Sequence, residues 1–207
     1  MLTLYGTQGS GSAAVEAALV FLGLPHRVVD AASWKPGPGL DELKAVNPLA
    51  QIPTLQLEDG QVLSESAAIL IHLGLAHPGS GLLPADPAQS IRGLVYIAAN
   101  CYACISVIDY PERWVADPDE ATCERIKAGT RLRLHHHWDL FADQFMGVTP
   151  CLSGAEPGAL DLLATVVSKW SGARAHLQAA RPALHACVLH TEQHPRFAEV
   201  FSRHWPK

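Results

Sequence analysis

Three short segments in the first third of the chain carry the side chains that could do chemistry. The first is a run of small and polar residues from Gly6 to Ser12, in which Ser10 stands just before a helical pattern. Small residues let a ligand approach the backbone closely, and the positive end of a helix favours a negative charge nearby. We therefore expect Ser10 to lie where a bound thiolate would be stabilised.

The second and third segments indicate a site for a short peptide. In Gln51-Ile52-Pro53 a proline precedes a strand pattern, and a cis bond at this proline would leave the Ile52 backbone free to pair with an extended peptide. Glu65 and Ser66 stand at a predicted helix start, where free N–H groups and a hydroxyl could hold a carboxylate and Glu65 could accept an ammonium group. Together the three segments predict a site for a peptide with a thiol and a free α-amino acid end.

The elements that must position these segments follow the order βαβαββα. The patterns predict strands at 2–5, 26–29, 54–57 and 61–63, and helices at 12–22, 40–46 and 64–78. The second helix must end before Pro48, because the residue preceding a proline is pushed out of the α region. Asp59-Gly60 is a hairpin signal, and Ser64 is expected to cap the third helix. This order predicts a thioredoxin-like domain with a four-stranded mixed sheet over residues 1–78.

The second half of the chain has a different pattern. Residues 79–87 are rich in glycine and proline and are expected to form a linker. From residue 88 to residue 207, apolar residues recur at spacings of three and four, and prolines interrupt the pattern. This half is therefore predicted to be an all-α domain, a bundle of about five helices.

Charge and cysteine content limit the partners and the compartment. The 207 residues carry a formal charge of −5 without an acidic tail or a cluster of Lys and Arg, so we expect neither a nucleic acid nor a membrane as partner. No apolar run in the sequence reaches the length of a membrane span. The five cysteines are an odd number at irregular spacings, which is typical of free thiols, and a cytoplasmic location is expected.

Read in order, these segments carry a family resemblance. The pieces are Leu4-Tyr5-Gly6 followed by Ser10, Asn47-Pro48 followed by Gln51-Ile52-Pro53, and the run from Ser64 to Leu70. In this order and spacing the chain resembles a cytosolic glutathione transferase over nearly its full length, with a layout similar to bacterial beta-like members. The resemblance implies glutathione as co-substrate, no metal, a homodimer and a role in detoxification.

The resemblance also implies roles for individual residues. Ser10 resembles the residue that hydrogen-bonds the glutathione sulfur, and Ser12, Thr7 and Tyr5 are the alternatives for this role. The implied glutathione-binding residues are Lys35 near the glycyl carboxylate, Gln51, Ile52 beside a cis-Pro53, and the γ-glutamyl clamp of Glu65 and Ser66. The implied electrophile site comprises Gly9, Asn100, Tyr102, Ser106, Tyr110 and Arg113.

Departures from the family pattern bear on the reaction. Many bacterial members have cysteine where Ser10 stands, so the serine favours thiol conjugation to small hydrophobic electrophiles over disulfide chemistry. Isomerases of the maleylacetoacetate or maleylpyruvate type are an alternative, although they carry Ser-Ser-Cys where this chain reads Ser10-Gly11-Ser12. A non-catalytic protein of the same fold is a second alternative. In the second domain, Asp161 resembles part of a helix-capping motif in which Gly158 replaces the usual Ser or Thr.

Overall fold

The computed structural model describes residues 1–147 and 149–206. Its first half contains, in chain order, β1 (Leu2–Gly6), α1 (Ser12–Phe21), β2 (His26–Asp30), α2 (Pro38–Val46), β3 (Thr54–Gln56), β4 (Val62–Ser64) and α3 (Ser66–Ala76). Its second half contains α4 (Ala88–Tyr96), α5 (Ala103–Asp109), α6 (Glu120–Phe145), α7 (Ala159–Val167), α8 (Ala173–Ala180), α9 (Pro182–Gln193) and α10 (Ala198–His204).

The first half has the predicted thioredoxin-like arrangement. The four strands lie in the order β2-β1-β3-β4, with β1 parallel to β2 and antiparallel to β3. The crossover through α1 makes the β1–β2 pair parallel, and the tight turn at Asp59-Gly60 makes β3 and β4 an antiparallel hairpin. Because β1 is central, its carboxyl end delivers the Gly6–Ser12 segment to the middle of the sheet edge.

One predicted cap is wrong. Ser64 does not cap α3, because it is the last residue of β4 and pairs with Thr54 across the hairpin. The capping position belongs to Glu65, whose φ of 67° lies in the left-handed region and whose side chain makes no capping hydrogen bond. The chain turns from strand into helix in this single residue.

A continuous helical rod opens the second half. It runs from Ala88 to Asp109, and the stretch Ile97–Tyr102 between α4 and α5 is a π-helix. The rod has 22 residues, and the mean hydropathy of an 18-residue window within it is 1.6, so by length and composition it could cross a membrane, which corrects the expectation that no such run exists. Its buried residues pack against α6 and α7, as in the core helix of a globular domain.

The helical half contains more helices than the sequence patterns indicated. Instead of about five, the part of the chain that the structure describes has seven α-helical segments after residue 87, of which α4 and α5 belong to the same rod. The short helices α8 and α10 account for the difference, because Gly172 (φ 81°) and Pro182 bound α8, and α10 follows Pro195. Short helices of this kind depend on packing, since their periodicity is too brief to be read with certainty.

One hydrophobic core joins the two halves. It contains Leu4 and Leu55 of the sheet, Ile69 of α3, and Leu94 and Leu160 of the helical half, all within one cluster. All nine residues of α7 are buried, and α7 packs against both α1 and α3. A smaller cluster of Tyr5, Ala31, Leu40 and Leu43 fills the space between the sheet and α2. The sheet that carries the site loops is therefore packed on both faces, by the main core on one face and by the α2 cluster on the other.

The predicted linker is packed into this core. Leu82 and Leu83 are buried, and a Cβ at Gly74 of α3 would overlap the Leu83 side chain. The Leu82 carbonyl accepts the Ala159 N–H of α7 at 2.8 Å. A Cβ at Gly158 would lie 2.8 Å from the same carbonyl, so the position has no room for the Ser or Thr that is usual in this motif. Asp161 still accepts the Gly158 N–H at 3.0 Å.

Candidate active site

A cavity of about 530 Å³ lies between the two halves, a size within the usual range for small-molecule sites. The predicted residues that line it are Gly9, Ser10, Gln51, Ile52, Pro53, Glu65, Ser66, Tyr102, Ser106, Tyr110 and Arg113. The other lining residues are Gly11, Ser33, Trp34, Ala98, Ala103, Ile105, Asp109 and Trp170. Loops of the first half therefore supply one set of groups and the rod of the second half supplies another.

Ser10 lies in a hydrogen-bonded network at the mouth of α1. Its hydroxyl donates to the Thr7 carbonyl at 2.8 Å, lies 2.8 Å from the Ser12 hydroxyl and accepts the Ser12 N–H at 3.2 Å. Ser12 Oγ also donates to the Thr7 carbonyl, at 3.2 Å. Ser10 stands one residue before the Gly11 N-cap, accepts the first N–H of α1 and lines the cavity with its hydroxyl. It shares the Thr7 carbonyl as acceptor with the Ser12 hydroxyl.

The alternatives to Ser10 do not line the cavity. Tyr5 is buried in the cluster under α2, and its hydroxyl donates to Glu42 at 3.0 Å. Burial raises the pKa of Tyr5, and the Glu42 hydrogen bond raises it further. The Thr7 hydroxyl donates to Asp30 at 2.6 Å, and Ser12 is almost fully buried beneath Ser10. Of these four hydroxyls, only that of Ser10 borders the cavity.

The loop before β3 presents Ile52 and Pro53. The peptide bond between them is cis, as the sequence analysis anticipated for peptide pairing. Asn47 braces this loop from beneath, because its side-chain amide donates to Thr54 Oγ1 at 2.8 Å and its carbonyl oxygen accepts the Leu49 N–H at 3.1 Å. Thr54 in turn donates to the Gln51 carbonyl at 2.7 Å. The shape of the loop is thus set by side chain to backbone hydrogen bonds.

Glu65 and Ser66 form the third contribution from the first half. The positive φ of Glu65 is uncommon for a residue with a side chain and costs about 1–3 kcal/mol, which is the kind of local strain found at functional sites. Ser66 follows as the first residue of α3 and is buried. The N-terminal N–H groups of α3 therefore stand at the cavity next to a carboxylate and a hydroxyl.

Tyr102 brings the helical half to the mouth of α1. It is the last residue of the π-helical stretch, and a Cβ at Gly11 would overlap its hydroxyl. Its ring packs on Trp170 with centroids 5.6 Å apart. Burial and the nearby carboxylates of Glu65 and Asp109 raise the pKa of Tyr102 to about 12, so the hydroxyl remains a proton donor.

Several lining residues were missed by sequence reasoning. Trp34 is exposed in a loop rich in Pro and Gly. A large apolar side chain in such a loop could have indicated a ligand-contacting residue. Trp170 follows α7 and lies far from the other site residues in sequence, so only the tertiary fold brings it to the cavity. Asp109 also lines the cavity, near the aromatic side chains, and burial raises the pKa of its carboxyl group.

Two predicted site residues lie outside the cavity lining. Lys35 is exposed, and its ammonium group lies 3.5 Å from Asp30. Asn100 donates to the Tyr96 carbonyl at 3.1 Å within its own helix. Within residues 1–147 and 149–206, His, Cys, Asp and Glu form no group of three that could hold a metal ion.

Comparisons with known sequences point to one family. A family profile described as the N-terminal domain of glutathione S-transferase matches residues 12–75. The uncharacterised GST-like protein YncG of Escherichia coli K12 is 36% identical over 125 residues, or 58% of this chain and 60% of that relative. A probable maleylacetoacetate isomerase of Caenorhabditis elegans is 50% identical over 48 residues, or 23% of this chain and 22% of that protein. The chain thus spans less than two thirds of the length of these relatives.

The fold agrees along almost the whole chain. A glutathione transferase homologue from Sulfitobacter, solved with bound glutathione, superposes with a TM-score of 0.81 at 27% identity. The superposition covers 97% of this chain and 96% of that structure. The family profile thus identifies residues 12–75 as similar to the N-terminal domain of glutathione S-transferases, and both halves of the chain share the glutathione transferase fold.

Proposed function

We propose that the protein is a glutathione transferase that conjugates the thiolate of glutathione to small hydrophobic electrophiles. The observation that carries the proposal is that Ser10, Pro53 and Ser66, from three separate loops, line one cavity together with aromatic side chains of the helical half. Ser10 hydrogen-bonds the sulfur, the Ile52 backbone pairs with the cysteinyl unit, and Glu65 with Ser66 holds the γ-glutamyl end. The solved relative with bound glutathione supports this reading.

The energy needed to ionise the thiol is within reach of these groups. A free thiol titrates near ~8.5, and lowering its pKa to about 7 requires roughly 2 kcal/mol. One hydrogen bond to a charged acceptor contributes roughly 1.5–3 kcal/mol. Ser10 Oγ must give up its bond to the Thr7 carbonyl when it rotates toward the sulfur. Ser12 Oγ still donates to that carbonyl, so the rotation leaves no carbonyl without a donor.

The conjugation step needs no cofactor beyond the two substrates. The thiolate sulfur donates an electron pair to the electrophilic carbon, and the leaving group departs with the electrons of the bond that breaks. The thiol proton has already passed to solvent. Tyr102, kept protonated by its raised pKa, supplies a second donor beside the α1 mouth for charge that develops on the electrophile.

Ser10→Ala tests the proposal, and Ser12→Ala shows how much of any loss comes from the shared hydrogen-bond network rather than from the cavity hydroxyl. Both variants remove a hydroxyl from the Thr7 network, but only Ser10 borders the cavity. We expect Ser10→Ala to lower turnover about 10–100-fold while glutathione binding stays mostly intact, because the lost bond stabilises the charged sulfur. Turnover with a chlorinated nitroaromatic and the ultraviolet absorbance of the bound thiolate are the readouts. Equal turnover in wild type and Ser10→Ala would contradict the role.

A glutathione-dependent cis–trans isomerase is the second candidate. The match to a probable maleylacetoacetate isomerase over 48 residues favours it, whereas Gly11-Ser12 departs from the Ser-Cys of that class. In this reaction the thiolate adds reversibly to a cis double bond and is released unchanged. Parallel assays with a chlorinated nitroaromatic and a maleyl compound separate the two. A protein that binds immobilised glutathione but forms no thiolate would instead be non-catalytic.

The organisation proposed with this function is that of a cytoplasmic homodimer used in detoxification. We infer a glutathione-binding domain over 1–78, a linker over 79–87 and an electrophile-binding domain over 88–207. Size-exclusion chromatography with light scattering tests the dimer. A monomer with full activity would remove the dimer from the proposal without affecting the reaction.

A further inference from the structure

The last helix of the chain reaches back to the loop that carries Ser10. The Gly9 N–H donates to Nδ1 of His204 at 3.2 Å, across 195 residues of sequence. The neighbouring Gln8 amide donates to the Arg203 carbonyl at 2.9 Å. Gly9 has a φ of 72°, and a Cβ there would lie 3.7 Å from the His204 carbonyl. The end of α10 therefore backs the loop at the residue preceding Ser10.

His204 is itself held on its other side. Its Nε2 lies 2.8 Å from Glu16 Oε2, and Arg203 binds the second oxygen of the same carboxylate at 2.6 Å. His204 and Glu16 are both 7% exposed. Burial alone would raise the pKa of Glu16, but the hydrogen bonds from His204 and Arg203 outweigh burial and lower it to about 2. Glu16 is therefore a carboxylate at neutral pH.

These contacts select the tautomer of the histidine. Because Nδ1 accepts the Gly9 N–H, it carries no proton, and the single ring proton must be on Nε2, where it is donated to Glu16. A carboxylate that holds one ring nitrogen orients the ring and makes the other nitrogen a better acceptor. Two hydrogen bonds through His204 thus connect Glu16, in the middle of α1, to Gly9, in the loop that precedes the same helix.

We propose that His204 is a positioning residue: held by Glu16, it accepts the Gly9 N–H and fixes the loop so that Ser10 stands at the mouth of α1 in the orientation that ionises the bound thiol. The catalytic part of this inference rests on the proposed function. His204 does not line the cavity, so it acts on the reaction only through Gly9 and Ser10.

A pair of substitutions separates the two arms of the histidine. In His204→Asn the side-chain oxygen can take the place of Nδ1 and accept the Gly9 N–H, while the contact with Glu16 is lost. In His204→Gln the longer side chain can still donate to Glu16, while the acceptor for Gly9 is lost. Glu199→Gln is the matched control on α10, because Glu199 is exposed and pairs only with Arg203 among the described residues.

Two readouts are measured on the full chain. Amide hydrogen exchange at Gly9, followed by NMR without glutathione, reports the loop. We expect exchange to rise about 10-fold or more in His204→Gln and to stay within about 3-fold of wild type in His204→Asn. With glutathione and a chlorinated nitroaromatic, we expect kcat to fall about 10-fold in His204→Gln, with KM for glutathione within about 3-fold of wild type. His204→Asn should restore most of kcat.

The opposite results overturn the inference. Unchanged Gly9 exchange in His204→Gln would show that the histidine does not fix the loop. Equal losses of kcat in the Gln and Asn variants, in proportion to their losses of thermal stability, would reduce His204 to a structural role. If the wild type itself forms no glutathione thiolate, the proposed function fails and the catalytic role of His204 fails with it. Gly9 exchange still decides in that case whether the histidine holds the loop.

Discussion

The two walls of the cavity are held in place by different forces. The wall from the first half consists of loops whose shapes are set by hydrogen bonds, as at Ser10, Asn47 and Thr54. The wall from the second half is one face of a helical rod, and its side chains are held by aromatic packing such as Tyr102 on Trp170. Hydrogen bonds are directional and fix atoms closely, whereas aromatic contacts tolerate small shifts. The first wall suits a constant ligand and the second a variable one.

The largest expected effect comes from breaking the support of the polar wall. Asn47→Ala removes the donor to Thr54 and the acceptor for the Leu49 N–H at a site that is 6% exposed. We expect the free energy of unfolding to fall by about 2–3 kcal/mol, because the buried Thr54 hydroxyl and the partly buried Leu49 N–H lose their bonds. Urea denaturation measures the change, and Leu49→Ala in the same turn, at an exposed side chain, should change it by less than about 0.5 kcal/mol. A similar loss in both variants would contradict this account of the wall.

The next effect is expected where the two walls meet. In Gly11→Ala the new methyl group overlaps the Tyr102 hydroxyl, and Trp170 restricts how far the ring can retreat. We expect turnover to fall about 10–30-fold and the free energy of unfolding to fall by about 1–3 kcal/mol, because the overlap can be relieved only by moving packed side chains. Gly129→Ala is the control, because a Cβ there meets nothing within 4 Å and alanine in a helix adds about 0.5–1 kcal/mol. Full turnover in Gly11→Ala would show that the walls need not touch.

The smallest effect should come from the aromatic wall alone. Tyr102→Phe removes the hydroxyl but keeps the ring on Trp170, so we expect kcat to fall by no more than about 10-fold with little change in KM for glutathione. Since its pKa is raised to about 12, wild-type Tyr102 stays protonated, and the pH profile of kcat should show no phenol ionisation below about pH 10. A step in the wild-type profile that Tyr102→Phe abolishes would contradict this.

The same contrast explains what the sequence could and could not predict. Ser10, Ile52, Pro53, Glu65 and Ser66 lie at the ends of strands and helices, where local chemistry has a readable signature, and all of them line the cavity. On the rod, the prediction included Asn100, which does not border the cavity, and omitted Asp109 and Ile105, which do. The π-helical stretch inserts an extra residue into the helical repeat, which shifts the phase of the side chains beyond it.

Contacts between distant parts of the chain had no local signal at all. The Gly9–His204 hydrogen bond and the approach of Trp170 depend on how the helical half docks on the first half. Nothing in the spacing of those residues marks them, because their partners are set by packing. The fold class, in contrast, followed from the order of strand and helix patterns, which tertiary contacts did not change.

The packed segment between the halves has a consequence for building hybrids of this protein with its relatives. Leu82 meets α7 through its carbonyl, and Leu83 fills the hollow above Gly74, so this stretch is a seam of the interior rather than a tether. A hybrid that combines the first half of one relative with the helical half of another would need residues 79–87 to match the surfaces of both α3 and α7. Exchanging one half alone would leave the Leu82 carbonyl and the Leu83 side chain facing surfaces to which they are not matched.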